Sequence, residues 1–159
     1  MERMAKSLVE HNSAQTATCP ECGGSNCRPV FDEFLALEFT DPGYGAVHHL
    51  TVATYMLQHS SKLSRAGWLE MRRLLREFLV ENKSPLEVRR KNKSAVDGGK
   101  RKWKITSCDD LPKISKVKWS KTILDVRAEN AALYCADVQE WAKAALFEAE
   151  QVQPDKISL

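Results

Sequence analysis

The sequence predicts a mainly α-helical protein, a small four-helix bundle with an N-terminal zinc knuckle and a basic, irregular insertion. Apolar residues recur at helical spacing in four stretches: 31–39, 46–59, 65–80 and the segment that ends near Glu150. Closely spaced cysteines precede the first of these stretches. Because amphipathic helices joined by short connections bury their apolar faces against one another, a bundle is the expected arrangement.

A chain of 159 residues has the length of a single domain. Its hydrophobic content of 43% and charged content of 28% are those of an ordinary globular protein. We expect a flexible arm at 1–18, one helical domain at 19–150 and a polar tail at 151–159. Within the domain, the knuckle is expected at 19–30 and the basic insertion at 83–121.

The knuckle prediction rests on three cysteines with a two-residue and then a four-residue spacing. Cys19 and Cys22 bracket a Pro-Glu pair, two glycines follow, and Cys27 completes the set. Such turns leave backbone N–H groups free to point at thiolates, which suits a tetrahedral zinc ion (Zn²⁺). Two alternatives stay open: reduced bystander cysteines, and a redox dithiol, which the lack of a βαβ pattern disfavours.

A closed zinc site needs a fourth ligand, and four residues are candidates: His49, His59, Cys108 and Cys135. A histidine on the adjacent second helix is closest in sequence. We predict His49, because it lies at the edge of that helix's apolar side. If the fourth position is open, water or a substrate can enter and the site becomes catalytic.

The first helix is predicted at 31–39 and ends at the break 40–45, which contains proline and glycines. The second is predicted at 46–59. The third, at 65–80, has the clearest pattern, and Ser64 precedes it as a candidate N-cap.

After the third helix the pattern weakens. We predict a short helix that begins with 85–90 and is interrupted at 97–99, where two glycines follow an aspartate. An extended piece is predicted at 101–106, where apolar and polar residues alternate. A long final helix is predicted to start at Ser120 or Thr122 and to run to about Glu150.

Glu38 falls on the apolar face of the first helix, so its carboxylate is expected inside the protein, where a lone charge is costly. We expect it within one hydrogen bond or one metal ion of His49. An ion pair with Arg72 or Arg73 is the structural alternative. For a metal-dependent enzyme, the catalytic candidates are Glu38, His49 and His59.

The insertion 83–121 is strongly basic, with 13 Lys or Arg residues against four acidic ones. Clustered cations with interleaved aromatic rings are typical of nucleic-acid contact. Solvated lysines around tryptophans that anchor a loop are the alternative. The candidate contacts for a protein or nucleic-acid partner are Arg89, Arg90, Lys100, Arg101, Lys102, Trp103 and Lys104.

No apolar run approaches the roughly 20 residues that a membrane span requires. The N-terminus also lacks the apolar core of a secretory signal, so we expect a cytoplasmic protein without membrane contact. In a reducing cytoplasm, a Cys-x-x-Cys pair is expected to hold metal rather than a disulfide.

Several short motifs follow one another along the chain: CPxCG from Cys19, LALEF from Leu35, VHHLTV from Val47, Gln58-His59 and WKIT from Trp103. Their order resembles an uncharacterised bacterial family catalogued as domain of unknown function 5946, and the similarity spans roughly 19–145. The resemblance implies a zinc knuckle and no agreed activity. This chain has Ser60 where a proline is expected after the Gln-His pair.

The layout is also similar to the DinB and YfiT group of four-helix metalloproteins. Their three-histidine arrangement does not map onto His48, His49 and His59, so this likeness is an analogy of fold alone.

The leading functional hypothesis is a small cytoplasmic zinc-binding protein with a structural metal, acting as a binding or assembly module for a protein or nucleic-acid partner. The alternatives are a metal-dependent enzyme of the DinB-like type, with an inward Glu/His site, and a subunit of a larger assembly. Four protein ligands favour a structural metal, whereas three ligands and water favour catalysis.

Overall fold

The structure is a computed structural model that describes residues 18–97 and 117–152. These residues are mainly helical, as predicted. The α-helices are α1 (Cys27–Thr40), α2 (Pro42–Gly45), α3 (His48–Gln58), α4 (Arg65–Leu79), α5 (Pro85–Asp97) and α6 (Ala131–Glu150). Single 3₁₀ turns follow α3 at Ser60–Lys62 and precede α6 at Ile123–Asp125. Thr18 and Ser25 form an isolated antiparallel β-bridge.

The core lies where α3, α4 and α6 pack on one another, and α1 packs beside α3. Its largest fully buried side chains include Trp68 of α4, Leu57 of α3, and Tyr134 and Trp141 of α6. Both indoles are also hydrogen-bonded, which satisfies their N–H groups inside the core. The apolar faces read from the sequence therefore meet as a bundle core.

The first helix begins earlier than predicted, at Cys27 instead of residue 31. Asn26 has φ 57°, a left-handed conformation that turns the chain sharply into the helix. The predicted break at 40–45 contains the short helix α2, because Asp41 accepts a hydrogen bond from the Gly43 N–H at 2.8 Å and Pro42 takes the first helical position.

The third helix confirms its prediction, including the cap. The Ser64 hydroxyl accepts a hydrogen bond from the Gly67 N–H at 2.9 Å. The next helix, α5, runs from Pro85 to Asp97 and confirms the predicted helix that begins at 85 and is interrupted at 97–99. Buried Val88 packs this helix against the body of the protein.

The final helix begins at Ala131, about ten residues later than predicted. Thr122 does act as a cap, but it closes only a 3₁₀ turn, in which its N–H donates to the Asp125 carboxylate at 2.8 Å. Asn130 provides the cap of α6 by accepting from the Leu133 N–H at 2.9 Å. Two capping signals compete in this segment, and the second one starts the long helix.

The predicted extended piece at 101–106 lies outside the described residues, as do Lys100, Arg101, Lys102, Trp103, Lys104 and Cys108. The predicted arm and most of the predicted tail lie outside them as well. Among the described helices, none is both long and apolar enough to cross a membrane.

Gly45 lies where α2 passes closest to the backbone of α1. A Cβ atom at this position would be 2.6 Å from the Glu38 carbonyl oxygen, and a backbone atom cannot easily move away. We therefore expect Gly45→Ala to lower the free energy of unfolding by about 1–3 kcal/mol in urea titrations. Gly43→Ala is the control, with a smaller expected loss, because its Cβ would meet only side-chain atoms, at 3.2 Å. Equal losses in the two variants would contradict this explanation.

Candidate metal centre

The knuckle is a tight turn closed by backbone hydrogen bonds. The Cys19 N–H donates to the Gly24 carbonyl at 2.6 Å, and the Gly23 N–H donates back to the Cys19 carbonyl at 3.0 Å. Gly23 has φ 78°, which a residue with a side chain rarely adopts. The Gly24 N–H lies 3.4 Å from Cys22 Sγ and donates to it. The turn thus supplies the N–H donor to sulfur that its glycines predicted.

Cys27 reaches the same point from the first turn of α1. The left-handed Asn26 ends the knuckle and starts this helix, so the third thiol lies at a helix N-terminus. Unpaired N–H groups and the helix dipole stabilise negative charge there. The backbone N–H of Arg28 accordingly favours a Cys27 thiolate, but burial outweighs it and raises the pKa of this thiol.

His59 comes from the other side, at the C-terminal end of α3. Its ring Nδ1 lies 2.8 Å from the Tyr55 carbonyl oxygen, and its backbone N–H donates to the same oxygen at 2.9 Å. Because a carbonyl oxygen only accepts hydrogen bonds, Nδ1 carries the proton. Nε2 then has the free lone pair, and it is buried without a hydrogen-bond partner among the described residues.

Three stacked rings fix the orientation of this imidazole. The His59 ring stacks on the Tyr55 ring, with centroids 4.0 Å apart. The Tyr55 ring also stacks on the Phe31 ring, with centroids 3.8 Å apart. Phe31 follows Cys27 by one helical turn of α1. The stack therefore joins the helix that carries the third cysteine to the helix that carries the histidine.

The end of α3 is further fixed by buried hydrogen bonds on either side of the histidine. The Trp68 indole N–H donates to the Leu57 carbonyl at 3.1 Å. The Gln58 side chain accepts from the Trp141 indole at 3.0 Å and donates to the Lys121 carbonyl at 2.8 Å. The position of His59 is thus set by α4, α6 and the segment before α6.

These elements bring Cys19, Cys22, Cys27 and His59 together. Their three Sγ atoms and a ring nitrogen of the histidine all lie within 4.8 Å of one another. Tetrahedral zinc–sulfur bonds of about 2.3 Å would place two sulfurs about 3.8 Å apart. The group therefore has the donor set and the spacing to hold one metal ion.

A further hydrogen bond connects the knuckle to the turn after the histidine. The Glu21 carboxylate accepts from the Ser61 N–H at 2.7 Å. Glu21 is one of the two residues between the first two cysteines, so this contact joins the knuckle to the turn that follows α3. Hydrogen bonds within the knuckle and between the knuckle and the turn after α3 therefore hold the four candidate ligands in place.

Burial governs the acidity of the thiols. It raises the pKa of Cys22 to about 12, although the Gly24 N–H opposes the shift. It also raises the pKa of Cys27. Burial acts in the same direction on Cys19, but backbone N–H donors from Cys22 and Glu21 outweigh it and lower the pKa of that thiol. Clustered thiolates in such surroundings require a compensating cation.

The other three candidates for the fourth position lie elsewhere or outside the described residues. The His49 ring packs edge-on against Phe78 at 4.6 Å, and burial lowers the pKa of His49. Cys135 donates from Sγ to the Gly43 carbonyl at 3.3 Å. Cys108 lies outside the described residues. The histidine that joins the cysteines is therefore His59, whereas the sequence favoured His49.

Glu38 is buried as expected, but its histidine partner is His48 and not the neighbouring His49. The carboxylate accepts from His48 Nδ1 at 2.7 Å, from the Thr51 hydroxyl at 2.5 Å and from the Tyr134 hydroxyl at 2.6 Å. Burial, followed by the hydrogen bond to Glu38, raises the pKa of Tyr134. The donors come from α3 and α6, so this cluster joins three helices.

The three catalytic candidates from the sequence thus lie in three different surroundings. Glu38 belongs to the hydrogen-bonded cluster, His49 packs on Phe78, and His59 lies beside the cysteines. Neither Arg72 nor Arg73 pairs with Glu38. Arg72 donates to the carbonyls of Ala149 and Val152, whereas Arg73 pairs with Glu70 and Glu77.

Several residues that position the two histidines were not among the predicted site residues. Tyr55 precedes His59 by four residues, a spacing at which a helical side chain can stack on the residue that follows the helix. That spacing was the one available signal for Tyr55. Thr51, Gln58 and Tyr134 gave none, because their partners are 13 to 96 residues away in the chain.

The comparisons with known proteins identify a family but no activity. A family model described as a family of unknown function, DUF5946, matches residues 17–150. Neither a curated protein nor a solved structure matches the chain. The matched region contains the knuckle, the helix that ends at His59 and the Glu38 cluster. Because the match covers well over half of the chain, this chain belongs to the family of unknown function DUF5946.

Proposed function

We propose that this chain is a zinc-binding protein whose single Zn²⁺ ion, held by Cys19, Cys22, Cys27 and His59, is structural. The observation that carries the proposal is the buried His59 Nε2, which has no hydrogen-bond partner within the described residues and belongs to a group that contains three thiols. A buried polar atom without a partner is costly. A metal ion would satisfy it.

The donor set supports zinc over other metals. Three thiolates and one imidazole form a closed set of four protein ligands, which is typical of structural zinc sites. Calcium and magnesium prefer oxygen donors and are disfavoured by this set. A fourth protein ligand also leaves no open position for water or substrate, in contrast to a catalytic site.

The position of the site supports a structural role for the ion. The knuckle supplies two thiols, α1 supplies the third and the end of α3 supplies the histidine. A Cβ at Gly24 would lie 3.1 Å from the Leu124 side chain, so the 3₁₀ turn before α6 packs directly on the knuckle. The ion would therefore cross-link three segments, and its binding energy would contribute to folding.

The protein would act as a binding or assembly module, with the zinc fixing the scaffold and another surface making the contact. Thiol ligands persist best in a reducing compartment, which favours the cytoplasm.

Metal analysis and cobalt substitution test the coordination directly. We expect about one zinc per chain by elemental analysis, and a tetrahedral spectrum with sulfur-to-metal charge transfer when Co²⁺ replaces zinc. His59→Gln should lower the zinc content and shift the cobalt bands, whereas His59→Cys should keep a four-ligand site. His49→Gln is the matched control and should retain the wild-type zinc content and spectrum.

Three results would overturn the proposal. One is protein that contains no metal after purification without chelators and gains none on titration with zinc. Another is bound iron in place of zinc. The third is a dependence of the cobalt spectrum on His49 instead of His59.

A further inference from the structure

The inner side of α5 is attached to α4 through a neutralised ionic network. The carboxylate of Glu77 is almost fully buried, and it pairs with Arg73, with Lys91 Nζ at 2.9 Å and with Lys83 Nζ at 3.5 Å. Burial acts to raise the pKa of Glu77, but the Lys91 hydrogen bond and the nearby cations outweigh burial and lower this pKa. Buried Val88 packs beside this network. The cations on the inner side therefore already have an acidic partner.

The opposite side of α5 presents Leu86, Arg89, Arg90 and Lys93 to solvent, and we call these four residues the outer basic face. Their spacing of three, four and seven residues places them on one side of the helix. In the ranges 18–97 and 117–152, no salt bridge is formed by any of the three cations.

The nearest acidic residue on α5 is already used by the helix itself. The Glu87 carboxylate accepts from the Ser84 N–H at 2.7 Å, and the Ser84 hydroxyl accepts from the Glu87 N–H at 3.2 Å. This hydrogen bond to the Ser84 backbone is the main reason that the pKa of Glu87 is lowered. Glu87 thus caps the helix start, and the outer basic face keeps its positive charge.

The sequence around α5 is also rich in basic residues. The segment 83–121 has 13 basic and four acidic residues, whereas the whole chain has a net charge of only +3. Four of these 13 cations lie in the stretch 100–104, which follows α5 closely in the sequence. Positive charge is therefore concentrated along this part of the chain while the remainder is acidic.

We propose that the outer basic face binds the phosphate backbone of nucleic acid without sequence preference. The planar fork of each arginine suits bidentate contact with phosphate oxygens. Arg89 and Lys93 are about 6 Å apart along the helix axis, and duplex DNA carries one charge per about 1.7 Å of axis, so phosphates are available to all three cations at once.

The composition of the face favours nucleic acid over an acidic protein. Protein interfaces have a buried apolar centre enriched in aromatic residues. The outer basic face offers one apolar side chain, Leu86, beside three cations. The proposal gives a partner class to the binding role proposed above, and it requires neither the metal nor its ligands.

Salt-dependent binding tests the proposal. Full-length protein is titrated against a labelled 20-base-pair DNA duplex and a labelled single-stranded RNA of unrelated sequence, and anisotropy is measured from low to moderate salt. The triple variant Arg89→Gln, Arg90→Gln, Lys93→Gln should lose about tenfold or more in affinity. Its slope of log affinity against log salt on the duplex should fall by about 2–3, since each lost phosphate contact contributes about 0.9.

The matched control is the triple variant Lys62→Gln, Arg76→Gln, Lys143→Gln, which removes the same charge from exposed positions outside α5. We expect it to keep nearly the wild-type slope. Arg89→Lys with Arg90→Lys keeps the charge but removes the forks, so it should weaken binding while leaving the slope nearly unchanged. Helix content by circular dichroism and zinc content are measured for every variant, so that a folding defect is detected separately.

The proposal is overturned if both triple variants lose affinity equally, if binding is absent, or if it does not depend on salt. Tighter binding to polyglutamate than to either nucleic acid would assign the face to an acidic protein instead. If the His59 variant loses zinc but still binds nucleic acid, the result supports binding through the outer basic face independently of the metal centre.

Discussion

Replacing Cys22 with serine is expected to remove the bound zinc and to lower the free energy of unfolding by more than about 4 kcal/mol. Cys22 is the most buried of the three thiols, with 5% of its surface exposed, and it belongs to the knuckle, on which the 3₁₀ turn before α6 packs. Serine is a poor zinc ligand, and the remaining thiolates would repel one another. Elemental analysis and urea unfolding, with and without added zinc, measure the two effects.

Cys135→Ser is the control for the Cys22 variant. Its thiol is half-buried and donates to the Gly43 carbonyl, a contact that a serine hydroxyl can also make. We expect full zinc content and a stability change below about 1 kcal/mol. A chelator should destabilise the wild type and this control alike, and should leave the Cys22 variant unaffected. Unchanged melting of the Cys22 variant would show that the metal does not support the fold.

Replacing Glu38 with alanine is expected to cost about 3–5 kcal/mol of folding free energy, because three donors would lose a buried charged acceptor. The side chain of Glu38 has no exposed surface, and its donors belong to α3 and α6. Thermal and urea unfolding of the variant measure the loss. A variant as stable as the wild type would mean that the cluster contributes nothing to stability.

A double-mutant cycle then identifies the histidine that acts with Glu38. The loss of stability in the double variant Glu38→Gln, His48→Gln should differ from the sum of the two single losses by about 0.5 kcal/mol or more, because these residues are in contact. Glu38→Gln combined with His49→Gln should be additive within about 0.5 kcal/mol. Coupling to His49 alone would contradict the contacts of the cluster.

Local patterns predicted the helices well where one signal dominated. The third helix has a strong apolar periodicity and a serine directly before it, and both its span and its cap are confirmed. The start of α6 was wrong, because Thr122 and Asn130 are both good caps and the sequence alone does not rank them. The start and the interruption of α5 were predicted from Pro85 and the glycines after Asp97, but its attachment through Glu77 and Val88 is a tertiary contact that the sequence did not indicate.

The choice between histidines shows the same limit at the site. One residue of shift along a helix rotates a side chain by about 100°, so the rotation of α3 about its own axis, which packing sets, decides which histidine meets Glu38. His59 lies just beyond the helix, with φ −118° and ψ 64°, where helical spacing no longer predicts a direction. Its approach to the cysteines depends on the Tyr55 carbonyl and the ring stack.

By itself, the sequence determined that this protein is mainly helical, that Cys19, Cys22 and Cys27 form a knuckle-like group, and that Glu38 is buried. Each of these depends on neighbours within a few residues, because periodicity, turn glycines and short spacings are local properties. Only the tertiary structure decided that His59 joins the cysteines and that His48 pairs with Glu38. Those contacts depend on how α1, α3 and α6 pack, and packing is set by side chains that are far apart in the chain.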